Sequence, residues 1–168
     1  HSKISYTAKV FWGTYIGLTT LNAVSLWLGG MGVFDSICHA LTTLSTGGFS
    51  TKQASIAAFN SPYIEYVTIV FMFLSGINFS LLYLLFLKGS IKRIFSDTEI
   101  RWYVKTILLF TIIITIGLLL TSTMDIEEAF RKASFLVISL QTTCGFITAD
   151  YMQWAPPLWM LTTVITYC

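Results

Sequence analysis

Three long runs without a charged residue divide this chain, and they restrict its fold more than any other feature. They lie between Lys9 and Asp35, between Glu65 and Lys88, and between Lys105 and Asp125. A hydrocarbon core of about 30 Å needs about 20 apolar residues as α-helix, which each run can supply. Only 11% of the residues are charged, against roughly 25% in soluble domains. We therefore predict an all-α integral membrane protein.

Shorter apolar runs leave the topology open. Residues 36–51 and 133–149 reach only about 25 Å as helix, which is marginal for a crossing, and a further apolar run begins at Tyr151. Either every run spans the membrane, or the short runs enter and leave on the same side. Charge separates the two alternatives, because basic residues of short loops collect on the cytoplasmic side.

The charges favour re-entrant short runs. The N-terminus and loop 88–105 then share one side, with seven of the ten basic residues: Lys3, Lys9, Lys88, Lys92, Arg93, Arg101 and Lys105. The opposite side holds six of the eight acidic residues: Asp35, Glu65, Asp125, Glu127, Glu128 and Asp150. If every run spanned, the basic loop would lie opposite the basic N-terminus. The prediction is a repeated unit of long helix, half-crossing pore segment and long helix, with the basic loop in the cytoplasm.

The repeat divides the chain into residues 1–93 and residues 94–168. The predicted helices are 7–28, 35–44 and 62–87 in the first copy, and 101–123, 126–141 and one from about Pro157 in the second. The chain opens in a charged lead-in and stops inside an apolar run, which indicates a piece of a longer protein. Internal repeats of membrane transport proteins form their binding site at the repeat interface.

Each half-crossing helix leads into a polar segment that contains glycine. The segments are Ser45-Thr46-Gly47-Gly48-Phe49-Ser50-Thr51 and Thr142-Thr143-Cys144-Gly145-Phe146. Unpaired carbonyls at membrane depth must face protein or water, since lipid offers no hydrogen bonds. Carbonyls turned inward at glycine replace the hydration shell of an alkali cation, close to the negative end of a helix. We interpret both segments as selectivity-filter strands; a glycine-rich loop packed without a ligand is the alternative.

These segments carry a family resemblance. Residues 34–41 followed by 45–51 resemble the second pore region of TrkH-type potassium uptake proteins, and residues 142–151 resemble the third. The superfamily, which includes KtrB-type and fungal Trk proteins, arranges four helix–pore-loop–helix repeats around one pore. The resemblance implies potassium uptake across the bacterial inner membrane by a multi-pass protein. It implies that the ion binds at Thr46, Gly47, Gly48, Phe49, Thr143, Cys144, Gly145 and Phe146.

Cys144 departs from the threonine or valine of potassium channels, but only its backbone carbonyl need bind the ion. Asp150 lies just beyond the second segment, where a carboxylate at the outer mouth raises the local cation concentration; an ordinary surface aspartate is the alternative. His39 is expected to pack or hydrogen bond within the first half-crossing helix.

The resemblance also implies partners. Proteins of this type form homodimers and pair with a cytosolic, nucleotide-binding regulatory subunit of the TrkA type. The sequence itself contributes only the basic loop 88–105, which membrane topology alone also explains. Membrane lipid is the expected surrounding, and with a net charge of +2 and no basic patch no nucleic acid is expected. No cofactor is predicted beyond the transported potassium ion.

Two other classes of function fit parts of the sequence. A secondary cation transporter with broken helices and a single midplane site is the main alternative, because half-helix ends also bind ions there. Ser75-Gly76 on a membrane helix suggests an intramembrane serine protease, whose chemistry needs a histidine base on a neighbouring helix. The motif lacks a preceding glycine, and His39 is the only histidine predicted at membrane depth. We therefore predict that the chain is not an enzyme.

Overall fold

The computed structural model describes residues 2–77, 97–149, 154 and 156–166. Helices dominate these ranges, and no β-strand occurs within them. The α-helices are α1 (Ser2–Leu28), α2 (Val33–Leu44), α3 (Pro62–Ser75), α4 (Thr98–Thr121), α5 (Ile126–Gln141) and α6 (Pro156–Thr166), with a 3-10 helix at Ser55–Phe59.

Helix lengths match the predicted division into long and half-crossing helices. With 27 residues α1 is about 40 Å long, whereas α2 and α5 measure only about 18 and 24 Å. Helix α4 is long and apolar enough to cross a membrane, with a mean hydropathy of 2.3 and only 28% of its apolar stretch buried in the protein. Its apolar outer surface therefore suits a lipid surrounding.

Local signals explain where several helices begin and end. Asp97 caps α4, since its carboxylate accepts a hydrogen bond from the Glu99 amide at 2.9 Å. Pro62 stands in the first turn of α3, where its missing N–H costs nothing. Helix α1 ends before Gly29, where a methyl group would lie 2.7 Å from the Tyr63 ring, and Gly30 has a φ of +95°. Glycine therefore both stops α1 and lets α3 approach it.

The predicted helix 62–87 is wrong in its described part. Helix α3 ends at Ser75, and residues 78–87 lie outside the described ranges. At Gly76 an added methyl group would overlap the Tyr103 hydroxyl and come within 2.8 Å of Thr142 Cγ2. Close contact with α4 and with the start of the second filter segment, together with the low helix propensity of glycine, ends the helix here.

The core is built around α5. This helix contacts α3, α4 and α6, and nine of its sixteen residues are buried. Helix α4 meets α6 at Gly117, where an added methyl group would overlap Leu158. A second cluster of Leu18, Leu44 and Phe71 joins α1, α2 and α3. Helix α5 is thus enclosed by α3, α4 and α6, whereas α2 packs on α1 and α3 and leaves one face exposed. The segments that follow α2 and α5 meet at Gly48 and Cys144.

Candidate functional site

Both filter segments leave their half-crossing helices through matching hydrogen bonds. Three of these bonds in the first copy recur 97 positions later (143 − 46 = 97), with similar length. Ser45 N donates to Leu41 O at 3.1 Å, as Thr142 N does to Ile138 O at 2.9 Å. Thr46 N donates to Thr43 O at 3.1 Å, as Thr143 N does to Leu140 O at 3.0 Å. Gly48 N donates to Thr42 O at 3.3 Å, as Gly145 N does to Ser139 O at 3.2 Å. The two segments therefore share one backbone geometry.

The same alternation of φ appears in both segments. Thr46 and Gly48 have φ values of 51° and 65°, and Thr143 and Gly145 have 56° and 81°. The residue between each pair does not take a positive φ. Threonine is rarely left-handed, at a cost of about 1–2 kcal/mol, so strain at two matching positions points to a functional segment.

The amide bonds fix the direction of several carbonyls. In a trans peptide the N–H of one residue points opposite to the carbonyl of the residue before it. Gly47 and Gly48 donate their N–H groups to Thr42 O at 2.8 and 3.3 Å, so the carbonyls of Thr46 and Gly47 turn away from α2. By the same geometry the bond from Gly145 N turns the Cys144 carbonyl away from α5.

The Cys144 carbonyl lies directly against Gly48 of the first segment. A methyl group at Gly48 would overlap this oxygen, so glycine is needed there for space as well as for its φ of 65°. At Gly145 an added methyl group would meet nothing within 4 Å, and only the φ of 81° requires glycine. The two segments are therefore neighbours, with the Cys144 carbonyl between them.

Residues 50–52, which follow the glycines of the first segment, contact side chains of α2. His39 is fully buried, and its Nδ1 donates to Asp35 O at 2.7 Å, which leaves Nε2 to accept from the Ser50 hydroxyl at 2.8 Å. The Asp35 carboxylate accepts from Thr51 Oγ1 at 2.7 Å and pairs with Lys52 at 3.5 Å. His39 thus has the hydrogen-bonding role expected for it.

The second segment is tied to the first copy instead. Its counterparts of His39 and Ser50, 97 positions later, are the apolar residues Leu136 and Ile147. The Ile147 amide donates to Ser55 Oγ at 3.3 Å, and its carbonyl accepts from the Ala57 amide at 3.2 Å. The 3-10 helix of the first copy therefore holds the end of the second filter segment.

The two filter phenylalanines differ in environment. Phe146 is 1% exposed and stacks on His39, with ring centroids 5.8 Å apart. Phe49, at the matching position of the first copy, is 77% exposed. Of the predicted site residues, Thr46 to Phe49 and Thr143 to Phe146 are brought together in one region, whereas Asp150 lies outside the described residues.

Sequence reasoning missed two groups of residues, one at the filter segments and one on the helices that support them. Thr42 and Ser139 donate their hydroxyls to the carbonyls of Phe49 and Phe146, both at 2.8 Å. Aligning the two copies would have revealed them, since both carry a hydroxyl seven residues before the phenylalanine. The second group is a buried ion pair between Glu65 and Arg131, with 3.4 Å between Nη1 and Oε2, for which the sequence gives no spacing signal.

Comparison with known proteins decides the family. The TrkH family model, described as "Cation transport protein", matches residues 1–168. The chain belongs to the TrkH family of cation transport proteins. Among its relatives is the Trk system potassium uptake protein TrkH of Vibrio parahaemolyticus, 36% identical over 99% of this chain. The TrkH and TrkG proteins of Escherichia coli K12 are 36% and 34% identical, each over 90% of it.

The structural comparison agrees with this assignment. The crystal structure of the potassium transporter TrkH from Vibrio parahaemolyticus matches 98% of this TrkH-family chain with a TM-score of 0.93 at 35% identity. The chain spans about a third of the length of the relatives it matches (36%, 32% and 31% for the three named). The predicted all-α membrane fold with pore-loop repeats is confirmed.

TrkH-family membership also confirms that the chain is not an enzyme. Ser75, the serine of the protease alternative, donates its hydroxyl to Met72 O at 2.7 Å within its own helix. His39, the histidine predicted at membrane depth, contacts Ser50 instead. The boundary drawn between residues 93 and 94 lies outside the described ranges and stays a prediction.

Proposed function

We propose that this chain forms part of a potassium uptake pathway and that its two filter segments, Thr46–Phe49 and Thr143–Phe146, line the ion path. One observation carries the proposal: two segments of the same backbone geometry meet where the Cys144 carbonyl lies against Gly48. The names of the relatives, Trk system potassium uptake proteins, supply the identity of the ion.

The chemistry of the segments suits a monovalent cation. Their ligands are neutral carbonyls, and the two segments contain no carboxylate side chain. Calcium and magnesium sites rely on carboxylates, whereas potassium filters use rings of carbonyl dipoles. The C-terminal ends of α2 and α5 add partial negative charge where the segments begin. The side-chain thiol of Cys144 is not needed as a ligand in this scheme.

Two filter strands supply part of a ring of carbonyl ligands, and further repeats complete that ring. Phe146 packs on His39 of the preceding half-crossing helix, whereas Phe49 is 77% exposed. A preceding repeat that covers Phe49 in the same way accounts for this difference. We assign residues 1–93 and 94–168 to the second and third of four repeats.

The direction of uptake follows from charge. The acidic side, which carries the N-terminal ends of α2 and α5, faces the periplasm, and Asp150 stands at the outer mouth. The basic loop 88–105 faces the cytoplasm of a bacterial cell, where a nucleotide-binding regulatory subunit of the TrkA type docks on a homodimer of the full protein. The term "Trk system" in the relatives' names supports a multi-component assembly. Recovery of neither dimer nor soluble partner from the detergent-purified full protein would contradict this assembly.

The experiment replaces the filter glycines in the full-length transporter that contains this chain. Gly48→Ser and Gly145→Ser place a side chain on a left-handed backbone, so potassium-over-sodium selectivity is expected to fall in both. Gly13→Ser is the control, because Gly13 lies in α1 with open space around it. Selectivity unchanged in both filter variants would refute the filter assignment.

Uptake measured with the same proteins distinguishes a pore from the alternative of a secondary transporter. A pathway with one midplane site shows saturable uptake coupled to sodium or protons, whereas a pore passes potassium down its electrochemical gradient. The matched geometry of both segments favours the pore, since a single site has no need for two strained threonines at equivalent positions.

A further inference from the structure

We propose that Thr42 and Ser139 are positioning residues that hold the Phe49 and Phe146 carbonyls away from the ion path. The proposal rests on the proposed filter function and refines it. The ion-facing carbonyls then belong to Thr46, Gly47 and Gly48 and to their counterparts Thr143, Cys144 and Gly145. The two phenylalanines end each filter strand and do not contribute a ligand.

Two hydrogen bonds carry this inference. Thr42 Oγ1 donates to Phe49 O at 2.8 Å, and Ser139 Oγ donates to Phe146 O at 2.8 Å. Each hydroxyl sits on a half-crossing helix seven residues before its phenylalanine. A carbonyl that accepts from the helix behind it points backward, opposite to the Thr46 and Gly47 carbonyls, which turn away from that helix.

Each positioning residue holds its segment at two points. Besides the hydroxyl bond, the Thr42 carbonyl accepts from Gly48 N at 3.3 Å and the Ser139 carbonyl accepts from Gly145 N at 3.2 Å. The N–H of the filter glycine and the carbonyl of the next residue are therefore bound by one residue. This pair of bonds fixes the peptide planes at the point where the carbonyl direction reverses.

The two copies differ in the number of carbonyl acceptors that lie near the hydroxyl. Thr42 Oγ1 also lies 3.0 Å from Cys38 O and 3.2 Å from His39 O, so its single proton has three acceptors. Ser139 is fully buried, and Phe146 O is the acceptor found for its hydroxyl within the described residues. The second copy should depend more strongly on its hydroxyl than the first.

Removal of the Ser139 hydroxyl leaves the buried Phe146 carbonyl without its donor. The orphaned oxygen gains most by turning toward the ion path, where an ion or water replaces the lost donor. That rotation adds a ligand and loosens the neighbouring planes, so it alters the discrimination between potassium and sodium. A purely structural loss would lower the amount of transporter without changing this ratio.

The test measures potassium-over-sodium selectivity of the full-length transporter in vesicles, normalised to purified protein. Ser139→Ala is expected to lower the ratio about fivefold, as loss of one net hydrogen bond allows, and Thr42→Val by less. Ser139→Thr and Thr42→Ser keep the hydroxyl and should retain the parental ratio. Ser134→Ala is the matched control, since this buried serine of α5 donates to Phe130 O of its own helix and, among the described residues, makes no hydrogen bond to a filter carbonyl.

The outcomes separate this inference from the filter itself. Lost selectivity in Gly48→Ser and Gly145→Ser with parental selectivity in Ser139→Ala and Thr42→Val would leave the filter standing and overturn the positioning role. Parental selectivity in all four would overturn both. If Ser139→Ala yields no folded protein, Thr42→Val decides: a lowered ratio supports the inference and an unchanged ratio refutes it.

Discussion

Arg131 of the second half-crossing helix and Glu65 of the long helix α3 form a buried ion pair, with 3.4 Å between Nη1 and Oε2. Both residues are less than a tenth exposed. Arg131 Nε lies 3.4 Å from Glu127, which also accepts from the Tyr66 hydroxyl at 2.8 Å. This network joins the last described helix of the first copy to the half-crossing helix of the second, and so positions the second filter segment relative to the first copy.

We expect Arg131→Met to destabilise the protein by about 3–5 kcal/mol, because the buried Glu65 carboxylate then lacks its partner. The double variant Glu65→Leu/Arg131→Met should recover most of this loss, since apolar residues replace buried ion pairs at little cost. Thermal unfolding of the parent, the single variants Glu65→Leu and Arg131→Met, and the double variant in detergent provides the measurement. A double variant as unstable as the sum of the two single variants would contradict the pairing.

The hydrogen bond between His39 and Ser50 predicts that substitutions at these two residues have non-additive effects on stability. His39→Leu leaves the Ser50 hydroxyl without its acceptor and removes the donor to Asp35 O, so a loss of about 1–3 kcal/mol is expected. Adding Ser50→Ile gives the first copy the apolar pair that the second copy has at Leu136 and Ile147. The two substitutions should therefore be less destabilising together than the sum of their separate effects, as measured by chemical denaturation.

Asp35 makes the link between α2 and the end of the first segment dependent on pH. The hydrogen bond from Thr51, and then the charge of Lys52, lower the pKa of the Asp35 carboxyl below its ordinary 3.8. A depressed pKa contributes stability that is present above pH 3.8 and is lost as pH falls through the folded-state pKa. Asp35→Asn should thus unfold at a lower temperature than the parent at pH 7, with the difference shrinking toward pH 3.

Thr51→Val serves as the companion variant, because it removes the main cause of the shift and keeps the carboxylate. Its melting temperature should respond to acid less than that of the parent. An equal difference between Asp35→Asn and the parent at both pH values would show that the carboxylate charge makes no contribution.

The helix ends that the sequence predicted well are those with local signals. The half-crossing helices end at Leu44 and Gln141 as expected, because glycine segments follow them directly. The early end of α3 was missed because it depends on contacts of Gly76 with Tyr103 and Thr142, which lie far away in sequence.

Side-chain partners were predicted less well than helices. The sequence assigned Glu65 and Arg131 to the same side of the membrane, but their pairing depends on how α3 packs on α5. The roles of Thr42 and Ser139 also depend on the fold, since a hydroxyl inside a helix ordinarily bonds to the preceding turn. Only the return of the chain after the glycines brings the phenylalanine carbonyls within reach.

Charge and the re-entrant segments together predict how the protein is oriented in the membrane. Gln53 is exposed just after the first filter segment, on the side predicted to face the periplasm, and Ser96 lies in the basic loop outside the described residues. In a variant of the full-length protein whose accessible native cysteines are replaced, Gln53→Cys should react with an impermeant thiol reagent added outside the cell. Ser96→Cys should react only after the membrane is opened. The reverse pattern would refute the topology, because a first segment that spans the membrane carries Gln53 to the opposite face.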